Sequence, residues 1–314
     1  MEEVAVRAGV GRGTVSRVIN GSSKVSDRTR EVVEAAVALV IPEPEARFFS
    51  EPYFSDVVRG VGATLAETDV QLVLTLAGSD RERRRLAQYL SGHRVDGVLL
   101  ASVHAGDPLP ELLAELGIPA VISGRRSAAE TLPSVDSDNL AGAAGAVRHL
   151  LGRGRRTIAT ITGPLDVYGA QCRLDGYRQA LTAAGHPVDE LLVAAGDFTE
   201  DGGRRAMREL LERRPALDAV FAASDVMAAG ALRELRAAGR RVPGDVALIG
   251  FDDSVVARHM DPPLTSVRQP IEEMGRTMAR VLLERIAGLR DGAGEEPGER
   301  ALVLPTELVV RESS

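Results

Sequence analysis

The stretch Val10–Asn20, VGRGTVSRVIN, holds more recognition chemistry than its length would lead one to expect. Arg12, Thr14, Ser16, Arg17 and Asn20 fall within two or three helical turns, between Gly9 and Gly21. An arginine guanidinium grips guanine O6 and N7 with two N–H groups, and serine and threonine hydroxyls suit phosphate oxygens. Val15, Val18 and Ile19 recur at i, i+3 and i+4 and mark the inner stripe of a helix. Arg12, Gly13, Ser16, Arg17 and Asn20 then face outward. So short and basic a helix has little apolar surface with which to hold a domain. It has the size and chemistry of a helix that enters a DNA major groove.

The neighbouring elements fit that role. Val4 and Ala8 share one face of a short preceding helix, which Gly9 can end. Helix, glycine-containing turn and helix form the helix-turn-helix pattern. Ser26 opens SDRTREVVEAAV as an N-cap, and Val33 and Val37 supply the inner face of a third helix. Residues 1–30 hold six positive and three negative charges, a local +3; the whole chain carries −7, which leaves −10 for residues 31–314. A basic end on an acidic body points to one nucleic-acid module.

The totals bound the remainder. A chain of 314 residues makes two or three compact lobes, and 44% hydrophobic content is ample for their cores. Aromatics are 3% and Trp is absent, so packing rests on Ala, Val, Leu and Ile. Cys172 stands alone, which excludes an intrachain disulfide and a zinc finger. No apolar run reaches membrane-spanning length and residues 1–20 lack a secretory core, so a cytoplasmic chain with no membrane partner is expected. His93, His104, His149, His186 and His259 are scattered without metal-ligand spacing, and neither a metal nor a cofactor is expected. No nucleophile elbow or phosphate loop is present; Gly152–Thr157, GRGRRT, lacks the GK[ST] ending. Arg81–Arg85, RERRR, reads as a solvated helix face.

From Ala38 apolar strands alternate with amphipathic helices. Strands are predicted at 38–42, 70–78, 95–102 and 118–124, with helices at 55–68, 81–92 and 110–117 between them. After Ser134–Asn139 the series restarts, with strands at 157–163, 191–196, 219–224 and 246–253 and helices at 173–184, 202–213 and 226–238. Gly288–Arg300 reads as a surface loop before two last strands. Short apolar strands joined by single helices mean parallel sheets covered on both faces. The fold class is therefore α/β, with two lobes that hold ligand in the cleft facing their strand C-termini.

The segment AVRAGVGRGTVSRVINGSSKVSDRTREVVEAAV resembles the headpiece of the LacI/GalR family of bacterial transcription regulators. VDSDNLAGA, CRLDGYRQAL, SDVMAAGAL, VPGDVALIGFDD and PPLTSVRQPIEEMG extend the resemblance over the body. It implies an all-α headpiece, residues 1–37, and a periplasmic-binding-protein-like body, 38–314. The N-lobe would take about 38–135 plus 269–302, and the C-lobe about 138–266 plus 304–314. The chain would cross between lobes near 134–138, 264–269 and 302–305. By the family pattern Arg12, Gly13 and Arg17 face base edges, and Thr14, Ser16, Asn20 and Lys24 meet phosphates. One departure is clear: the family places a hinge helix after the third helix, and here Val37 runs straight into the first strand. A true deletion would leave no slack between headpiece and body and should abolish specific operator binding. The favoured reading is that a stretch belongs between the two segments, because segments that fold only on binding are commonly disordered otherwise.

Sugars are held by planar polar side chains against paired hydroxyls, with an aromatic under the apolar ring face. Phe54, Ser102, Arg125, Arg173, Phe198, Asp252 and Gln269 fall at predicted strand ends or helix starts. The resemblance assigns Arg173 of the R-x-x-G motif, Asp252 of GFDD and Gln269 of RQP to the cleft, and Phe198 to the stacking position. Ser224 stands where many members have Asn and Gly124 where many have Asp, which points to an altered hydroxyl-recognition pattern. FSEPYFSDVVRGVGATLAET, AGSDRERRRLAQYLSGHRVDGVLL and GDFTEDGGRRAM look like the family's cellobiose-responsive branch, repressors of cellulose-utilisation genes in actinobacteria. The expected protein is a homodimeric repressor on pseudo-palindromic operator DNA, released by cellobiose or a related cello-oligosaccharide. A transport-system sugar-binding protein fits the body alone but has no use for Val10–Asn20, and an α/β enzyme lacks a catalytic set.

Overall fold

A computed structural model describes residues 10–19, 35–92, 94–290 and 301–314. Helix α1 (Arg12–Ile19) lies in the first segment. The first and third helices expected of the headpiece lie outside the described residues, as does residue 291 onward of the expected loop; Gly288 itself is in a helix that runs to Arg290.

The N-lobe takes β1 (Ala36–Ile41), α2 (Glu45–Ser50), α3 (Pro52–Leu65), β2 (Gln71–Leu76), α4 (Asp80–Ser91), β3 (Gly97–Leu100), α5 (Leu109–Glu115), β4 (Ala120–Ser123) and β5 (Ser134–Ser137). The C-lobe takes α6 (Asn139–Gly152), β6 (Ile158–Thr162), α7 (Tyr168–Ala183), β7 (Val193–Ala195), α8 (Glu200–Arg213), β8 (Ala219–Ala222), α9 (Asp225–Ala237), β9 (Ala247–Asp252), α10 (Val255–His259) and β10 (Thr265–Arg268). Helix α11 (Ile271–Arg290) and β11 (Ala301–Leu304) return to the N-lobe, and β12 (Glu307–Val309) ends in the C-lobe.

Each lobe holds one six-stranded sheet, ordered β11-β5-β4-β3-β1-β2 and β12-β10-β9-β8-β6-β7. All described pairings are parallel except β10 with β12. The chain passes between lobes at 137–139, 268–271 and 304–307. Side chains alternate across a strand, so β1 serves two cores. Val37, Leu39 and Ile41 pack under α3 and α11 with Val57, Val61, Met274 and Leu282. Ala36, Ala38 and Val40 pack under α4 and α5 with Leu86, Leu90 and Leu113. In the C-lobe, Phe221, Ile249 and Phe251 face α6 and α7, while Val220, Ala222 and Leu248 face α8 and α9.

Two boundaries differ from the sequence-based expectation. Val37, expected inside a third headpiece helix, belongs to β1, which starts at Ala36. The run AVALVI is apolar at every position, and a strand covered on both faces is where such a run buries all of its side chains. Helix α7 starts at Tyr168 instead of Arg173, so Arg173 sits in its second turn. Periodicity obscured this because Arg173, though charged, is a buried position. The RERRR run is on α4 as expected; Ser79 and Glu82 form a reciprocal capping box there, and Leu86 and Leu90 face the core.

Helices α3 and α11 meet backbone to backbone. A Cβ at Gly60 would stand 2.0 Å from the Glu272 carbonyl oxygen, so only glycine permits this approach. Gly60→Ala is expected to cost about 1–3 kcal/mol and to lower the thermal midpoint by several degrees, read by circular dichroism.

Candidate functional site

Loops after the strand C-termini of both sheets converge on one cleft. Its open space, mouth included, is about 820 Å³. Ser102, Arg125, Arg173, Phe198, Ser224, Asp252 and Gln269 line it, together with Gly124. Phe54 does not. It is fully buried in the core under α3, packed with Val57 and Val61. Adjacent helical residues point about 100° apart, so its neighbour Tyr53 faces the cleft instead.

Arg173 is the centre of the site. It is only 8% exposed, and two of its three guanidinium nitrogens have protein partners. Nε donates to Asn139 Oδ1 at 2.7 Å, and Nη1 donates to the Ala223 carbonyl at 2.6 Å. Asp252 Oδ1 is 3.7 Å from Nη1, and the guanidinium lies 3.9 Å from the centroid of the Phe251 ring. Burial pushes the arginine's pKa down against the opposing pull of Asp252 and Asp136. Burial likewise raises Asp252 to about 6, with Arg173 and a 2.6 Å hydrogen bond from Gln269 Nε2 pulling the other way. Ser137 Oγ donates to Gln269 Oε1, so the chain begins on one interlobe crossing and reaches the cleft through the next.

Backbone strain gathers at the same place. Among the described residues, the non-glycine positions with positive φ are Ser102 (61°), Phe198 (63°), Asp252 (108°) and Asp253 (53°). The first three line the cavity. Such conformations cost about 1–3 kcal/mol each and persist where surrounding structure over-determines them, commonly at ligand sites. Asp253 is structural: its buried carboxylate accepts from Arg268 Nε at 2.8 Å and Arg311 Nη2 at 2.5 Å. Phe198 needs a neighbour without a side chain, because a Cβ on Gly163 would come within 2.2 Å of the ring.

Several lining residues escape sequence reasoning. Glu51, Arg47, Tyr53, Ser123, Asp136 and Asn139 all face the cavity. Tyr53 Oη and Ser123 Oγ are 2.7 Å apart, bringing α3 against the end of β4. Asn139 Nδ2 donates to Asp136 Oδ1 at 3.0 Å while its oxygen serves Arg173. The density of planar polar residues in VDSDN and in EARFFSEPYF was the available signal. Ser102 lines the cavity, but its hydroxyl donates to Glu43 at 2.6 Å; Ser224 Oγ caps α9 by accepting from Met227 N.

Charges in the wall cancel in pairs. Arg47 meets Glu51 at 2.6 Å, Arg125 meets Asp136 at 3.4 Å, and Arg173 meets Asp252 at 3.7 Å. Each arginine of the lining has a carboxylate within 4 Å. Polar groups on both lobes with a ring at Phe198 suit a neutral polyhydroxyl molecule.

In α1, Val15 is buried while Arg12, Gly13 and Arg17 are exposed and Thr14 and Ser16 half-buried. Arg17 Nε donates to the Gly13 carbonyl at 3.0 Å, one turn back on its own helix. Asn20 and Lys24 lie outside the described residues. Among the described residues no helix is long and apolar enough to cross a membrane.

Residues 1–40 match the model of bacterial regulatory proteins of the lacI family, and residues 147–314 match that of the periplasmic binding protein-like domain. The chain belongs to the LacI family. It is a transcriptional regulator and not an enzyme, as are its relatives. It is 51% identical to the HTH-type transcriptional regulator CelR of Thermobifida fusca over 337 residues, covering 100% of this chain and 97% of CelR. It is 34% identical to the HTH-type transcriptional repressor CytR of Escherichia coli K12, over 100% of this chain and 96% of CytR. A solved CelR–cellobiose complex is 52% identical and superposes with a TM-score of 0.84, covering 99% of this chain and 98% of that one. The CelR alignment spans more positions than this chain has residues, which leaves at least 23 (337 − 314) facing a gap here. Between α1 and β1 only residues 20–35 intervene.

Burial raises Glu51 to about 7 despite the Arg47 ion pair. A carboxylate raised in the folded state stabilises below its unfolded pKa and loses that contribution as pH rises through the folded value. Between pH 5 and 8 the wild type should therefore lose stability relative to Glu51→Gln, by on the order of 1–3 kcal/mol in urea unfolding.

Proposed function

We propose that this regulator is a homodimeric repressor that leaves its operator when cellobiose fills the cleft. The observation that carries this reading is the cleft wall: three ion pairs that cancel, planar polar groups from both lobes, and the Phe198 ring. That chemistry favours a neutral sugar over a phosphorylated or acidic one. The similarity to a CelR–cellobiose complex supports the choice of disaccharide.

In this reading residues 1–37 form the DNA-binding headpiece and 38–314 the effector and dimerisation body, acting in the cytoplasm. Arg12, Gly13 and Arg17 read base edges, and Thr14, Ser16, Asn20 and Lys24 hold phosphates. A two-fold dimer presents two such helices to a pseudo-palindromic site. Arg173, Asp252, Asn139 and Gln269 hold sugar hydroxyls while Phe198 stacks on a ring. Sugar binding favours one lobe arrangement and operator DNA the other, so each lowers the other's affinity by the same factor.

Cellobiose at one hundred times its Kd should stabilise the chain by about 2.7 kcal/mol, seen as a raised thermal midpoint. It should also release labelled operator in fluorescence anisotropy. Another disaccharide succeeding where cellobiose fails would overturn the effector assignment. A chain that binds cellobiose but holds no operator places the fault in the short junction at 20–35, not in the cleft.

Arg173→Ala should weaken cellobiose binding at least tenfold in calorimetry while operator affinity holds. A normal sugar response in that variant removes Arg173 from the site.

A further inference from the structure

Just outside the cavity, a histidine bridges carboxylates from the two lobes. His104 follows β3 in the N-lobe, one residue beyond Val103 of the cavity wall. Asp166 follows β6 in the C-lobe, one residue before Val167 of the opposite wall. His104 Nδ1 is 2.7 Å from Asp166 Oδ2, and Nε2 is 2.9 Å from Glu43 Oε1 in the N-lobe. The Ala105 amide donates to the Asp166 carbonyl at 2.8 Å, a main-chain bond across the cleft. A ring bonded through both nitrogens to carboxylates must donate twice, and only the imidazolium has two N–H groups.

We propose that His104 and Asp166 form a proton-carrying latch that holds the lobes closed and thereby sets effector affinity. The inference rests on the reading of the cleft as a sugar site. Glu43 accompanies His104 whether the cleft is open or shut, since both belong to the N-lobe. Asp166 is the partner that opening removes. Closure therefore adds one charge-assisted bond that exists only with the proton in place.

The surrounding charges support a protonated ring. Glu43 faces it from the β1–α2 connection and is itself held by Arg47 at 2.6 Å, and Arg47 also meets Glu51. Asp107 lies on the same loop, where its amide donates to the His104 carbonyl. The hydrogen bond to Glu43, opposed by burial and reinforced by Asp166, raises His104 to about 9. A base raised by a contact contributes fully at low pH and loses that contribution as pH rises through the raised value. The latch is thus complete at neutral pH and fails in alkaline solution.

Three full-length proteins test this: wild type, Asp166→Asn and His104→Gln. Calorimetric titration with cellobiose from pH 7 to 9.5 should show wild-type affinity falling about tenfold, the factor that one unit of closure-linked pKa shift supplies. Both variants should bind about tenfold more weakly at pH 7 and show a flat pH response. A wild-type affinity that is independent of pH and matched by Asp166→Asn overturns the latch. A sugar-independent arm uses ¹³C-histidine resonances, with His104 assigned by its loss in His104→Gln. Its midpoint should fall in Asp166→Asn; wild type and variant titrating alike overturns the proposal even if no sugar binds. Failure of wild type to bind cellobiose overturns only the effector reading. Asp166 is exposed, so Asp166→Asn remains informative should His104→Gln fail to fold.

Discussion

The structure depends on keeping one buried guanidinium satisfied. Arg173 lies under the cleft floor, and an unpaired charge there would cost several kcal/mol. Its partners are therefore fixed: Asn139 at the start of α6, the Ala223 carbonyl after β8, Asp252 at the end of β9 and the Phe251 ring beneath. Gln269 joins Asp252 to Ser137. These residues come from four separate strand ends and two interlobe crossings. Satisfying one charge ties the cleft floor to segments that cross between the lobes.

That tie gives a physical route for a signal. A ligand hydroxyl competing for Asp252 or Asn139 alters a network whose far members are hinge residues. The strained backbones of Ser102, Phe198 and Asp252 show that these positions are held by their surroundings and do not relax individually. Parallel sheets buried on both faces supply the rigidity: β1 fills two cores at once, and glycines such as Gly60 let α3 and α11 lock together. The two lobes are joined by three chain crossings, at 137–139, 268–271 and 304–307.

The fold was legible because its signals are local. Apolar runs such as AVALVI and ALIGFD, bounded by helix caps, declare buried parallel strands wherever they occur. Strand C-termini mark where ligand loops lie, and Phe198, Asp252 and Gln269 line the cavity at or just past them; Arg173, in the second turn of α7, was picked out by the family resemblance and lines the same cavity. Phe54 misled because its neighbour Tyr53 differs by one helical step, and one step decides core or cleft. Val37 misled because an apolar residue four positions after another fits a helix until the next strand claims it.

By itself, then, the sequence determined the α/β alternation, the helix-turn-helix surface of Arg12 to Arg17, and the family. Those rest on periodicity and motif spacing, which act over a few residues. Only the tertiary structure decided which charges cancel. Arg47 with Glu51 is a local pair, but Arg173 with Asp252 and His104 with Asp166 join residues 79 and 62 positions apart. Whether a cleft takes a neutral or a charged ligand is a sum over such distant pairs. No local pattern carries that sum, because burial and partner geometry set it after the lobes have folded.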